Sequence, residues 1–376
     1  MVKIMTAGPV QVRENVRMAR SLECTNPDLD REFFDYYKET CELLSKALHT
    51  DNQAIIMGGE GILGLEAACA SLTEPGDRVL ILDNGIFGKG FEDFAKMYGA
   101  ETVLFTTDYK NPIKPEELRA FLEKDSDFKY ATVVHCDTPS GVMNDVEELS
   151  RILDEFGILT VADSVAGMFG EPLDVSKSKI DILCGGSQKA LSAPPGLTMV
   201  WVSERAFAAM ENRKTPIAAF YANILNYRDY YEKQWFPYTM PISDIKGLRQ
   251  AIENYLEDET VIERHEKIAK AVRKALNMGG IELYLESGYS NNVTVINVPE
   301  GIKDTDILDG MVNDYGIMIS GCFDCLAGKV VRLGHMGENA YKYKVAEALH
   351  ALQGTLEKLG VKVNCNLEME FLKELC

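Results

Sequence analysis

The sequence predicts an α/β protein, with a large domain built on a mainly parallel sheet and a smaller C-terminal α+β domain. Three features point there. Residues 53–202 alternate short β-branched runs with helical patterns, the order that produces a parallel sheet covered by helices. Several of those runs are continuously apolar, as in strands buried on both faces. From about residue 256 a long helical pattern takes over, and the strands after it are shorter.

Taken in order, the strand candidates of the large domain are 54–57, 78–82, 102–105, 131–135, 159–162, 180–184 and 198–202. Between the fourth and fifth, Val146, Leu149, Ile152, Leu153 and Phe156 fall on one helical stripe, opened by Asn144 as cap with Glu147 three residues on. After a polar, aromatic-rich stretch over 226–238, the helix expected at 256–278 stops at Gly279 and Gly280. Shorter strands follow at 294–298, 317–319 and 330–333, then a final helix over 340–359. The division expected is an N-terminal arm (1–20), a large domain (21–258) and a small domain (259–376). There is no internal repeat or low-complexity tract.

A chain of 376 residues with 46% hydrophobic residues can bury more than one core. Its formal net charge of -19 argues against nucleic acid and anionic membranes as partners, because both are held by clustered Lys and Arg. Any anion must therefore be bound by local amides or single cations. Residues 1–12 lack a basic segment followed by an apolar run, and no stretch approaches membrane-spanning length, so a cytoplasmic protein is expected. Nine scattered cysteines fit a reducing compartment. Cys322 and Cys325 form a CxxC without a second pair or a suitably spaced histidine, so no metal site is expected.

In an open parallel sheet, ligands lie beyond the carboxyl ends of the strands. Four segments occupy such positions: the turn Gly58 to Gly61, Thr138 with Ser140 and Gly141, Asp163 with Ser164, and Gly185 to Lys189. Gly59, Gly61 and Gly64 make a GxGxxG, with Asp83 ending the next strand about twenty residues on. That pattern suits a dinucleotide, any phosphate on helix amides, or a purely structural turn. Taken alone, Asp163 reads equally as a helix cap, and Lys189 as a solvated surface lysine.

The segments Asp163-Ser164-Val165-Ala166 and Ser187-Gln188-Lys189-Ala190-Leu191-Ser192-Ala193-Pro194-Pro195-Gly196 together resemble the class V aminotransferases, especially the alanine:glyoxylate and serine:pyruvate group. Gly8-Pro9, Leu65-Glu66-Ala67-Ala68, Asn84-Gly85-Ile86 and Val331-Arg332-Leu333-Gly334-His335-Met336-Gly337 extend the likeness over nearly the whole chain. The resemblance implies the fold type I of pyridoxal-phosphate-dependent transferases, a homodimer, and pyridoxal 5′-phosphate as cofactor. It implies that Lys189 forms the Schiff base and carries the proton, with Gln188 beside it on the cofactor. Asp163 would pair with the pyridine nitrogen; at about 4 Å and an effective dielectric of about 20 the attraction is roughly 4 kcal/mol, about three pKa units. Phe87 would stack on the ring and Thr138 would contact its phenolic oxygen. Gly61 and Ile62 would offer amides to the phosphate, with Thr239 reaching it from the neighbouring subunit. Gly8 and Arg332 would bind substrate, the arginine by paired hydrogen bonds to a carboxylate. The reaction implied moves an amino group from alanine or serine to glyoxylate or pyruvate.

The chain departs from that pattern at the phosphate. Glu60 stands where a small hydroxyl residue is usual, Ile62 where histidine or threonine is common, and Phe236 where a phosphate-binding tyrosine often sits. Because a carboxylate beside a phosphate is unfavourable, Glu60 is expected to point away or to pair with a cation. Rival readings are a 2-aminoethylphosphonate:pyruvate transaminase, a cysteine desulfurase using Cys322 or Cys325, and, in another class, an NAD-binding dehydrogenase. Asp324 next to Cys325 disfavours a reactive thiolate.

Overall fold

The computed structural model describes residues 2–375. All seven predicted strands of the large sheet are present: β1 (Gln53–Gly58), β2 (Arg78–Asp83), β3 (Glu101–Thr106), β4 (Tyr130–Val134), β5 (Leu159–Asp163), β6 (Ile182–Gly186) and β7 (Leu197–Val202). They lie in the order β1-β7-β6-β5-β4-β2-β3. Pairs among β2 to β6 are parallel, and β7 runs antiparallel to both β1 and β6. β4, β5, β6 and β7 are buried along their whole length, which explains their continuous apolar runs. The strand order reverses between β2 and β4, and the crevice beyond those carboxyl ends is where a ligand fits.

Several boundaries differ from expectation for local reasons. β6 begins at Ile182 rather than 180, because Asp181 is used as a buried acceptor for Thr160 N, Ser203 Oγ and Arg205. It runs on through Gly185 and Gly186, which pair with Met199 and Thr198 of β7. The helix Val146–Glu155 is capped by Asp145, which accepts from Glu148 N at 2.9 Å; Asn144 instead bridges Ile113 N and Val134 O. The helix expected at 256–278 begins at Val261 and ends at Met278, and it is preceded by an unexpected helix, Ile242–Glu257. Asp258 separates the two by accepting from Thr260 N, Thr260 Oγ1 and Arg264. Beyond the final expected helix, Lys342–Lys358, a further one at Leu367–Glu374 buries Leu367 and Phe371 against Val261–Met278.

The N-terminal residues are more than an arm. Lys3–Ile4 pairs in parallel with Ile317–Met318, and Met5 sits in the core formed by the C-terminal helices. There, β8 (Val293–Asn297) and β9 (Val330–Gly334) are antiparallel. One hydrophobic cluster follows the seven-stranded sheet and a second packs Val261–Met278 on β8, β9 and the last helices. Among the described residues, no helix is long and apolar enough to cross a membrane.

Candidate active site

The helices after β1 and β2, α1 (Gly61–Leu72) and α2 (Ile86–Met97), begin at the same edge of the sheet, where β4, β5 and β6 also end. An open cavity lies there, lined among others by Glu60, Ile62, Phe87, Thr138, Asp163 and Lys189. Residues more than a hundred positions apart are thus brought together by strand order alone.

Asp163 is the last residue of β5 and is 5% exposed. It accepts one hydrogen bond, from Val165 N at 2.8 Å, and has no ion-pair partner among the described residues. Burial pushes its carboxyl up to about 7, against the pull of the Val165 amide and the Lys189 charge. Its neighbour Ser164 is occupied elsewhere, its hydroxyl 2.9 Å from His135 Nδ1. Burial holds that imidazole down at about 4, so it is a neutral structural bridge between the ends of β4 and β5.

Lys189 follows β6 across the pocket, and its Nζ donates to Ala7 O at 2.9 Å. Burial lowers its pKa; Glu60 opposes the fall, and the positive charge of Arg332 adds to it. Gly8 is needed beside it. A Cβ there would lie 2.5 Å from Nζ, and the backbone φ of +114° is one that side chains rarely adopt.

The sequence reading overlooked Asp137, which organises the opposite wall. It is fully buried and accepts from Phe87 N at 2.9 Å, Ser140 N at 3.1 Å and Ser140 Oγ at 2.7 Å. Asp137 thereby caps α2 from another strand and fixes Phe87 at the pocket. Gly85 makes room for it, since a Cβ at that position would sit 2.4 Å from the Asp137 carboxyl carbon. Phe87 also meets Phe323 edge-on at 5.9 Å. Thr138, 1% exposed, lines the cavity one residue further on. The available signal was a strand-end Asp followed by a turn with Ser140, but its partner helix is fifty residues away.

Arg332, on β9, is 9% exposed and donates Nε to Gly321 O at 2.8 Å. Among the described residues its terminal nitrogens take no hydrogen-bond partner, and burial lowers its pKa. A buried guanidinium with a free fork is a site for a carboxylate.

At the N-terminus of α1 the expectation about Glu60 fails. Its carboxylate neither points away nor pairs with a cation: Oε2 accepts from Ile62 N at 3.0 Å, capping the helix, and Oε1 accepts from the neutral amide of Gln188. Gln188 is 3% exposed, and its own Oε1 is buried without a partner. Gly61 packs against Val165, 2.9 Å from where a Cβ would lie. Phe236 is also not at the pocket; it stacks on Phe34 at 4.6 Å within its own chain. Thr239 is exposed and donates to Asp28 at 2.7 Å.

Two of the rival readings, the NAD-binding dehydrogenase and a desulfurase using Cys322, lose ground. Asp83, which a dinucleotide would need, is buried and takes hydrogen bonds from Thr106 at 2.9 Å and Tyr109 at 2.5 Å. Gly64 serves close packing of α1 on β7, since a Cβ would lie 2.5 Å from Thr198 Oγ1. Burial raises the pKa of Cys322, the opposite of what a thiolate nucleophile requires.

A lysine amine, a buried carboxylate lacking a cation and a lone arginine fork fit an aldehyde-bearing, ring-protonated cofactor and a substrate carboxylate. Lys189, Asp163, Phe87 and Thr138 are the residues that would hold the ring of pyridoxal 5′-phosphate. A family model described as aminotransferase class-V matches residues 16–338. An uncharacterized aminotransferase of Methanocaldococcus jannaschii is 33% identical over 364 residues, 96% of this chain and 94% of its own. The pyridoxamine–pyruvate transaminase of Mesorhizobium japonicum is 33% identical over 365 residues, 96% of this chain and 92% of its own. Among solved structures, the ureidoglycine–glyoxylate aminotransferase of Bacillus subtilis superposes with a TM-score of 0.96 at 29% identity, over 100% of this chain and 98% of that one. The chain belongs to the class V aminotransferases, enzymes that carry amino groups on pyridoxal 5′-phosphate.

Proposed function

We propose that the enzyme moves the amino group of a small amino acid, alanine or serine, to a small 2-oxo acid, glyoxylate or pyruvate. The observation that carries this reading is the convergence of Lys189 and Asp163 on one pocket, with the unpaired fork of Arg332 near enough to lower the Lys189 pKa. When bound, the cofactor supplies the electron sink for carbanion chemistry. Arg332 holds the substrate carboxylate in a two-bond grip that a lysine cannot reproduce. Lys189, released from its carbonyl partner, carries a proton to and from the substrate's α-carbon at Nζ; its lowered pKa keeps a share of the amine unprotonated for that task. Asp163 holds the ring nitrogen protonated, and Phe87 and Thr138 fix the ring's face and edge. Gly8, where a Cβ would lie 2.5 Å from Lys189 Nζ, leaves that amine room to act on a small substrate. Glyoxylate and pyruvate as acceptors are supported by two relatives, the pyridoxamine–pyruvate transaminase and the ureidoglycine–glyoxylate aminotransferase.

The same reading divides the chain at about residue 258 into cofactor-binding and small domains, and makes the enzyme a cytoplasmic homodimer. Supporting the dimer, Ile62, Phe220 and Tyr221 are 43%, 58% and 55% exposed. Tyr221 stacks at 4.2 Å on Tyr238, whose hydroxyl accepts from Gly58 N, so apolar surface adjoins the glycine turn. Exposed Thr239 adjoins the same patch.

The test is spectroscopic. Purified protein given pyridoxal 5′-phosphate should develop the visible band of a lysine-bound cofactor, absent in Lys189→Ala. Adding L-alanine should convert it to the pyridoxamine form with release of pyruvate. No band with either the cofactor or its dephosphorylated aldehyde sinks the Lys189 assignment; a band inert to alanine and serine sinks the donor assignment.

A further inference from the structure

The two ends of the pocket ask for different chemistry. The ring end offers an amine and a carboxylate, with Arg332 outside the lining but near enough to lower the amine's pKa, and these suit a protonated ring and a substrate carboxylate. The end formed by α1 offers the exposed apolar Ile62, with Val165 packed against Gly61, and one carboxylate, Glu60. Of the residues lining the cavity, Lys189 is the single cation, and it is committed to the other end. A phosphate on α1 would need the Ile62 amide, which Glu60 already occupies.

Glu60 is also held in place. It is the partner of the Gln188 Nε2 amide, and Gln188 is buried with its Oε1 already unpaired. Swinging Glu60 out to admit a phosphate would leave both polar ends of that buried amide unsatisfied, and leaving it in would set two anions against each other. A neutral hydroxymethyl group meets neither obstacle, because its O–H can donate to the carboxylate without displacing it.

From this we propose that Glu60 sets the vitamer preference of the pocket: the unphosphorylated ring, as pyridoxal or pyridoxamine, binds more tightly than its 5′-phosphate, which enters only by displacing Glu60. The proposal rests on the reading of Lys189 and Asp163 given above. It has a stoichiometric consequence. Once an amino acid has passed its amino group to pyridoxal, yielding pyridoxamine and the 2-oxo acid, no covalent bond or phosphate anchor retains the ring. Pyridoxamine then leaves as a product.

The experiment is a titration of the cofactor-stripped full-length enzyme with pyridoxal and with pyridoxal 5′-phosphate, read from the lysine-bound band. In the wild type, pyridoxal should bind at least about tenfold more tightly. Glu60→Gln, which keeps a capping side chain without the charge, and Glu60→Ser should each strengthen binding of the phosphate ester by about tenfold or more without strengthening that of pyridoxal, whose hydroxymethyl group loses its carboxylate acceptor. Equal or tighter binding of the phosphate ester by the wild type overturns the proposal, as does an equal response of both vitamers to substitution. Either of those outcomes leaves the aminotransferase reading intact. No band with either vitamer overturns both.

Discussion

Two helix N-termini face the same pocket, and each is capped by a carboxylate, yet the two caps are built in opposite ways. α2 is capped from another strand by Asp137, fully buried and meeting Phe87 N and the backbone and hydroxyl of Ser140. α1 is capped by the residue just before it, exposed Glu60, which spends one oxygen on Ile62 N and the other on Gln188. A buried cap that ties distant segments together is structural, and cannot leave without stranding several donors. A local, exposed cap strands fewer donors when it leaves, the Ile62 amide, which a ligand can take over, and the Gln188 amide, which resists the exchange. The comparison teaches that the anion-binding capacity of a helix start depends on who already holds its amides.

The largest effect expected from breaking this symmetry is at Asp137. Asp137→Ala leaves the part-buried N–H of Phe87 and the buried N–H of Ser140 without acceptors, a loss of about 3 kcal/mol. Chemical denaturation should show it as a lowered midpoint, and the lysine-bound cofactor band should weaken because Phe87 is no longer fixed. A midpoint unchanged from the wild type would mean that α2 does not depend on its cross-strand cap.

A second, intermediate effect separates the ring end from the α1 end by pH. In the empty enzyme Asp163 is pushed up to about 7 by burial, well above an unfolded aspartate. The folded protein therefore binds more protons than the unfolded one between about pH 4 and 7, so this group's contribution to stability is present below that window and lost as pH rises through it. Glu171, raised by burial to about 7 against its bonds to Ser290 and Asn291, acts in the same direction. A cationic ring beside Asp163 cancels that residue's share alone. The gain in thermal stability on adding cofactor should hence grow from pH 5 to pH 7.5, by about 2 kcal/mol at roughly 1.4 kcal/mol per pKa unit, and should stop growing in Asp163→Asn. A gain independent of pH in the wild type would separate Asp163 from the ring nitrogen.

How much of this could be read without coordinates differs between the same two regions. The seven strands, with Asp163 ending one and Lys189 just beyond another, were legible because strand pattern and local motif coincide there, whereas Arg332, in the middle of β9, was picked out by its motif alone. Thr138 and Phe87 followed from motif and indeed line the cavity. What stayed hidden depended on bonds between remote segments: Asp137 to Phe87, Gln188 to Glu60, and Asn144 to Ile113, which removed Asn144 from the helix cap it was expected to form. The orientation of Glu60 was misread for a related reason. Repulsion from an anticipated phosphate was weighed, whereas the helix amides and the buried Gln188 amide that attract the carboxylate were not.

The smallest effect expected is the stability cost of removing Glu60, and its size bears on the vitamer proposal. Glu60→Ala deletes a helix cap at an exposed position, worth about 1 kcal/mol, and unpairs one end of Gln188. If the protein's denaturation midpoint falls by no more than that, Glu60 is a lightly held gate and the pocket's preference is set by charge. If the loss instead approaches that of Asp137→Ala, the bond to Gln188 is structural in the way the α2 cap is. The two helix starts would then be equivalent, and a phosphate could enter only at a large cost in fold stability.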